Sequence, residues 1–116
     1  MMTPQNPLLT IHQWQKIVKA ITSNDNFDPP VNIKLTFEQD NNGGFSTVWW
    51  DEVERNGFDL IEWIEIKPIK SEYIGRLVAP KRTDYTSFIK ACLDDNEIPY
   101  TLNDGVFKIE NYTSTT

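Results

Sequence analysis

Residues 45–67 read FSTVWWDEVERNGFDLIEWIEIK, and the rest of the chain is organised around this stretch. It holds three of the four tryptophans, Trp49, Trp50 and Trp63. It also carries six carboxylates, Asp51, Glu52, Glu54, Asp59, Glu62 and Glu65, against two bases, Arg55 among them and Lys67 at the end of the stretch. Tryptophan supplies contact area that loses water on binding, and carboxylates steer cations toward it. We therefore predict that these six carboxylates form a surface for a basic partner, with Trp49 or Trp50 as its anchor.

The chain has 116 residues and a formal net charge of −6, which suits a single small domain. We assign residues 1–9 to a flexible leader, 10–112 to one α+β domain and 113–116 to a frayed tail. Residues 1–66 hold 10 acids and 4 bases, whereas residues 67–116 hold 7 of each. This acidity disfavours direct binding to nucleic acid or to an anionic membrane.

Two stretches have the periodicity of helices packed on a core. Thr10 is a candidate N-cap for the first helix, which ends near Ser23-Asn24. Its apolar stripe is Ile11, Trp14, Ile17, Val18 and Ile21. Thr83 or Asp84 is a candidate cap for the second helix, which ends near Asn96. Its inward side chains are Tyr85, Phe88, Ile89, Cys92 and Leu93.

Alternating apolar residues predict three strands between the two helices. The first contains Val31, Ile33, Leu35 and Phe37. The tract QDNNGG at residues 39–44 predicts a turn, so Phe45 to Trp50 is expected to return as the hairpin partner. Phe58 to Lys67 forms the third strand, with Leu60, Glu62, Ile64 and Ile66 on one face and Ile61, Trp63, Glu65 and Lys67 on the other. A helix is the alternative for this last segment.

The remaining segments complete an α+β fold. Residues 69–82 are interpreted as a loop, with a short strand around Gly75 to Val78 as the alternative. Ile98 to Leu102 and Val106 to Tyr112 predict a closing hairpin with a tight turn at Asp104-Gly105. The predicted fold is a mainly antiparallel sheet of about five strands with two helices. Its order is α-β-β-β-(loop or short strand)-α-β-β.

The residues favour binding over catalysis. His12 is the only histidine, and no nucleophile motif accompanies a serine or the single cysteine, Cys92. Glu62 and Glu65 are a nominal acid–base pair, but residues three apart in a strand point to opposite faces. We expect no catalytic, cofactor-binding or metal-binding site. The first ten residues, MMTPQNPLLT, lack the pattern of a signal peptide, so we expect a cytoplasmic protein. We also expect a monomer.

Short motifs between Trp49 and Tyr112 resemble those of a small, uncharacterised bacterial protein family. They are Ile61-Glu62-Trp63-Ile64-Glu65-Ile66, Gly75-Arg76-Leu77 with Pro80 and Asp84, Ile98-Pro99-Tyr100, Lys108-Ile109 and Tyr112. These motifs are mostly apolar and structural, so the resemblance implies a shared fold and carries over no functional residue. The acidic segment Asp51 to Glu54 departs from that family's pattern.

At the level of a class, the chain resembles immunity proteins of contact-dependent growth inhibition systems. Like them, it is an acidic single domain that combines aromatic residues with no catalytic constellation. The resemblance implies a non-enzymatic cytoplasmic protein that binds and neutralises a cognate toxin domain, expected to be a basic nuclease. The alternatives are an adaptor or regulatory domain with another partner, and a small acid–base hydrolase.

Overall fold

The fold was determined as a computed structural model, which describes residues 7–38, 44–72 and 75–112. Within these residues the elements are α1 (Ile11–Ile21), β1 (Val31–Leu35), α2 (Trp50–Asn56), a 3-10 helix (Phe58–Leu60), β2 (Ile61–Ile66), β3 (Ile69–Glu72), β4 (Lys81–Asp84), α3 (Thr86–Asp95), β5 (Thr101–Asn103) and β6 (Val106–Glu110). The strands form an antiparallel sheet in the order β1-β2-β6-β5 and a separate β3-β4 hairpin. The predicted α+β class with mainly antiparallel strands is confirmed, although α2 is an additional helix.

Helix α1 begins and packs as its sequence predicts. The Thr10 hydroxyl accepts a hydrogen bond from the Gln13 backbone N–H at 3.2 Å, and the Gln13 side chain accepts one from the Thr10 N–H at 2.8 Å. This reciprocal pair satisfies two N–H groups that a helix start otherwise leaves free. Trp14 is buried and stacks on Phe58 with ring centroids 5.7 Å apart. Ile11, in the first turn, is exposed and does not join the core.

The predicted strand from Phe45 to Trp50 is wrong. In this stretch Ser46 alone pairs with β1, exchanging two hydrogen bonds with Val31 at 2.9 and 3.0 Å. Trp50 instead begins α2, where Trp50 and Val53 both pack against the core. Helical spacing turns these two side chains to one side, and carboxylates in the first turn suit the helix dipole. The predicted turn at residues 39–43 lies outside the described residues.

A β-bulge in β2 overturns the predicted division of its faces. Leu35 pairs with Ile61 and Lys34 with Trp63, so Glu62 is an extra residue on β2. The extra residue reverses the alternation of side chains on its N-terminal side. Ile61 therefore joins the inner apolar face of β2 and is fully buried, as are Ile64 and Ile66. The strand is also shorter than predicted, because residues 58–60 form the 3-10 helix.

Residues 69–84 form the β3–β4 hairpin instead of the predicted loop. Ile69 pairs with Asp84 and Glu72 with Lys81. Residues 75–78, the alternative strand, lie in the turn region of this hairpin; residues 73 and 74 lie outside the described residues. Helix α3 follows, and the Asp84 carboxylate accepts a hydrogen bond from the Thr86 backbone N–H at 2.8 Å.

The closing hairpin and its turn are confirmed, but its strands are shorter than predicted, since β5 begins at Thr101 and β6 ends at Glu110. Its two central turn residues, Asp104 and Gly105, have φ of 53° and 76°. Positive φ at both positions is what the right-handed twist of a two-residue hairpin requires, and aspartate followed by glycine tolerates it.

Asn111 connects both ends of the domain, a role that no local pattern of residues indicates. Its side chain is fully buried; Nδ2 donates to the carbonyls of Phe58 and Ile61 at 3.2 and 2.9 Å, and Oδ1 accepts from the Leu9 N–H at 3.3 Å. Leu9 is itself buried in the core. The end of the predicted leader at Leu9 is therefore part of the folded domain. Residues 113–116, the predicted frayed tail, lie outside the described residues.

Candidate partner-binding surface

Helix α2 and the residue before it present an aromatic side chain beside acidic ones. Trp49 is 81% exposed, the largest fraction for any described tryptophan. Asp51, Glu52 and Glu54 follow on α2 and are all exposed. We call Trp49, Asp51, Glu52 and Glu54 the α2 surface. It lacks Trp50, which is half-buried against the core and whose indole N–H has no hydrogen-bond partner among the described residues.

The carboxylates of the α2 surface differ in their hydrogen-bond and salt-bridge partners. Glu54 accepts a hydrogen bond from the Gln15 side chain of α1 at 2.9 Å, which fixes one edge of the surface. Neither Asp51 nor Glu52 forms a salt bridge with a described residue, although Arg55 lies on the same helix. Their negative charge is therefore directed at solvent.

Glu62 and Glu65 lie elsewhere, on the outer face of the sheet, away from the helices α1 and α3. Lys34 forms a salt bridge with Glu62 at 2.6 Å, and the Asn32 side chain donates to Glu65 at 3.2 Å. Asn32 and Lys34 are two residues apart on β1 and so share a face. Glu62 and Glu65 thus lie on the same face, because of the bulge, and the predicted separation of the two was wrong. Each carboxylate is nevertheless held by a different partner.

The outer face pairs two of its three carboxylates with lysines, Glu62 with Lys34 and Glu110 with Lys108. We define it by Asn32, Lys34, Glu62, Trp63, Glu65, Lys108 and Glu110. The Lys108 ammonium lies 4.7 Å from the centroid of the Trp63 ring and 4.0 Å from the Glu110 carboxylate. Trp63 is half-buried in this arrangement. The outer face therefore combines paired charges with a covered indole, unlike the α2 surface.

Asp59 belongs to neither surface. It is exposed in the 3-10 helix, and its backbone carbonyl accepts a hydrogen bond from the Tyr112 hydroxyl at 2.7 Å. Burial raises the pKa of Tyr112, and the Asp59 charge acts in the same direction. Of the eight residues predicted to bind a partner, the structure brings together Trp49, Asp51, Glu52 and Glu54.

An apolar pocket of about 430 Å³ lies beside α2, and no pattern in the sequence indicates it. Its walls come from the end of β1, from α2 and from the 3-10 helix. The lining residues are Ile33, Leu35, Phe37, Val53, Asn56, Gly57, Leu60 and Ile61. Phe37 was predicted to continue the buried face of β1, but β1 ends at Leu35 and leaves Phe37 68% exposed. Phe37 thus lies in the turn after β1 and lines the pocket.

The single histidine and the single cysteine lie on different helices. His12 is exposed on α1, whereas Cys92 is buried on α3 with its thiol 3.4 Å from the Ala20 carbonyl oxygen. Burial raises the pKa of the Cys92 thiol, so the reactive thiolate is disfavoured. Within the described parts of the chain, no cluster of three or more His, Cys, Asp or Glu side chains is arranged to hold a metal ion.

The fold and the α2 surface define a small α+β domain with an exposed aromatic and acidic face. The chain belongs to a family of unknown function, DUF6678, whose family model matches residues 6–116. No curated protein and no solved structure matches the chain significantly. Among the described residues, no helix has the length and apolar character needed to cross a membrane.

Proposed function

We propose that the chain is a non-enzymatic, cytoplasmic immunity protein that binds and neutralises a cognate basic toxin domain. The α2 surface carries this proposal, because Trp49 is 81% exposed beside the solvent-directed carboxylates of Asp51 and Glu52. Tryptophan is enriched among the residues that dominate binding energy, and complementary charge accelerates encounter. The choice of a toxin as the partner rests on the resemblance to immunity proteins.

The two components of the α2 surface have separate roles in this proposal. Asp51 and Glu52 attract the basic partner and set the association rate. Trp49 buries its indole in the complex and sets the dissociation rate. A nuclease toxin gathers basic side chains where it binds phosphate groups, and carboxylates that occupy those side chains would block nucleic acid from the same place.

The identity of the partner is tested by capture with the tagged chain. The bait is incubated with extract of the source organism and with the product of the gene directly upstream of its own. We expect a basic toxin domain that is active alone and inactive in the complex. Specific capture of a different host protein would replace this proposal with the adaptor function, and absence of both a neighbouring toxin gene and a captured toxin would overturn it.

The electrostatic role is tested by reversing charges on α2. In the double variant Asp51→Lys, Glu52→Lys, the association rate with the captured toxin should fall about tenfold or more at low ionic strength. Its dependence on salt should also flatten. The matched control is Asp25→Lys, Asp28→Lys, which changes the same net charge at exposed positions in the connection between α1 and β1. Equal rates for the two variants would remove α2 from the interface.

The anchor role is tested separately with Trp49→Ala. Loss of a central tryptophan anchor typically costs 2 kcal/mol or more, so the dissociation rate should rise by about thirtyfold. The association rate should change little, because the charges remain. An unchanged dissociation rate would contradict the assignment of Trp49 even if the toxin binds.

A further inference from the structure

The β3–β4 hairpin exposes apolar side chains at its end. Leu77 is 99% exposed and the neighbouring Val78 is 57% exposed. Arg76 precedes them in the chain, Lys81 and Arg82 follow at the start of β4, and all three bases are exposed. We call these five residues the hairpin tip. Single exposed apolar residues are common on protein surfaces, but an adjacent pair flanked by bases is suited to an apolar pocket with an acidic border.

The apolar pocket beside α2 has that complementary chemistry. Its volume of about 430 Å³ exceeds that of a leucine side chain, and most of its lining is aliphatic or aromatic. Asn56 lines the pocket, and Glu52 precedes it by four residues on α2. Residues four apart lie on the same side of a helix, so Glu52 lies on the side of α2 that carries Asn56. Asp51 adds a second exposed carboxylate on that helix.

The hairpin tip and the pocket lie at opposite ends of the β1–β2 pair. The pocket includes Leu35 and Ile61, which pair with each other at one end. Ile66 pairs with Val31 at the other end, and β3 begins three residues later at Ile69. The hairpin therefore starts from the end of the β1–β2 pair opposite its own pocket, an arrangement that favours a contact between different molecules.

We propose that the hairpin tip of one molecule docks into the apolar pocket of a second copy of this chain. Leu77 enters the pocket, and the bases of the tip face Asp51 and Glu52 of the second copy. The two surfaces differ, so the contact is head-to-tail and leaves a free tip and a free pocket at the ends of each assembly. At low protein concentration the chain is then the monomer expected from the sequence. At higher concentration it associates reversibly into head-to-tail assemblies.

The association is weak, because a single tip and pocket offer less than the roughly 800 Å² per partner of a standard stable interface. It is also sensitive to salt, because opposite charges border the apolar contact. This inference requires only the chain itself, so it stands or falls independently of the toxin.

Analytical ultracentrifugation of the purified full chain tests the proposal over a concentration series at low and high salt. For the wild type, the weight-average sedimentation coefficient should rise with concentration, and less steeply at high salt. Leu77→Asp blocks the tip, and Phe37→Lys places a base at the pocket mouth. Both replaced side chains are exposed, so the fold should tolerate each change. Each variant alone should associate at least about tenfold more weakly than the wild type.

Mixing the two variants gives the decisive measurement. The tip variant retains a working pocket and the pocket variant retains a working tip. Together they should form a one-to-one complex and nothing larger. A mixture that remains monomeric while the wild type associates would overturn head-to-tail docking. A wild type that remains monomeric at all concentrations would overturn self-association altogether.

Leu102→Asp is the matched control, because Leu102 is another exposed leucine, on the edge strand β5. It should associate as the wild type does. Loss of association in this control, with retention in Leu77→Asp, would place the contact at the β5 edge and overturn the proposal. A second tip variant, Lys81→Glu, Arg82→Glu, should also weaken association, and circular dichroism of each variant confirms that it is folded.

Discussion

The α2 surface and the outer face of the sheet receive their carboxylates from the same acidic stretch, but they differ in electrostatic state. On α2, Asp51 and Glu52 are exposed and make no salt bridge with a described residue. On the outer face, Glu62 is paired with Lys34 at 2.6 Å. The partner of Glu62 comes from β1, far away in sequence. An acidic run therefore predicts an acidic surface only where the fold brings no bases to it.

The largest expected effect is a loss of stability in Asn111→Ala, a change next to the sheet. The change removes the buried donor to the carbonyls of Phe58 and Ile61, where β2 begins. Each buried polar group left without a partner costs about 1–3 kcal/mol, so the free energy of unfolding should fall by about 2–4 kcal/mol. Urea denaturation measures this loss. Asn103→Ala, at an exposed position of β5, is the control and should stay within about 0.5 kcal/mol of the wild type.

An effect of intermediate size is expected when a base of the outer face, Lys34, and a base of α2, Arg55, are each replaced by alanine. The Lys34 side chain is 15% exposed, pairs with Glu62 and donates to the Glu38 carbonyl at 2.9 Å. Lys34→Ala should lower the free energy of unfolding by about 1–2 kcal/mol, because a half-buried pair and a hydrogen bond are lost. Arg55→Ala, on exposed α2, should change it by less than about 0.5 kcal/mol. If both variants lost similar free energy of unfolding, the outer face and α2 would not differ in how their charges are paired.

The smallest effect concerns Asp84, which is exposed like the α2 carboxylates but hydrogen-bonded like those of the outer face. Hydrogen bonds from the Thr86 side chain and then from its backbone hold the pKa of Asp84 below its ordinary value. A lowered folded-state pKa stabilises the protein above the unfolded-state pKa, and that contribution disappears as the pH falls through the folded-state value. Asp84→Asn keeps an oxygen acceptor but does not titrate.

The measurement for Asp84 is the urea midpoint between about pH 5 and pH 2. The wild type should lose stability on acidification slightly more steeply than the asparagine variant. Identical slopes would indicate that the carboxylate is not hydrogen-bonded in the folded protein.

The elements predicted correctly are those specified by local chemistry. Thr10 and Gln13 cap α1 through their own side chains, and Asp104-Gly105 adopts positive φ because of its own residue types. The inward positions of Trp14 and Cys92 also follow from helical spacing alone. In the candidate site, the sequence identified the acidic stretch and the tryptophan pair, but not which of their side chains share a surface.

The sequence by itself determined the fold class, the N-cap of α1, the closing hairpin and the excess of acid in the first half of the chain. These depend on periodicity, turn chemistry and composition, which act over a few residues. Only the tertiary structure decided that Trp50 begins a helix, that the bulge at Glu62 moves Ile61 into the core, and that Lys34 compensates Glu62 while Asp51 faces solvent. Each of these depends on partners distant in the chain, whose positions no local pattern encodes.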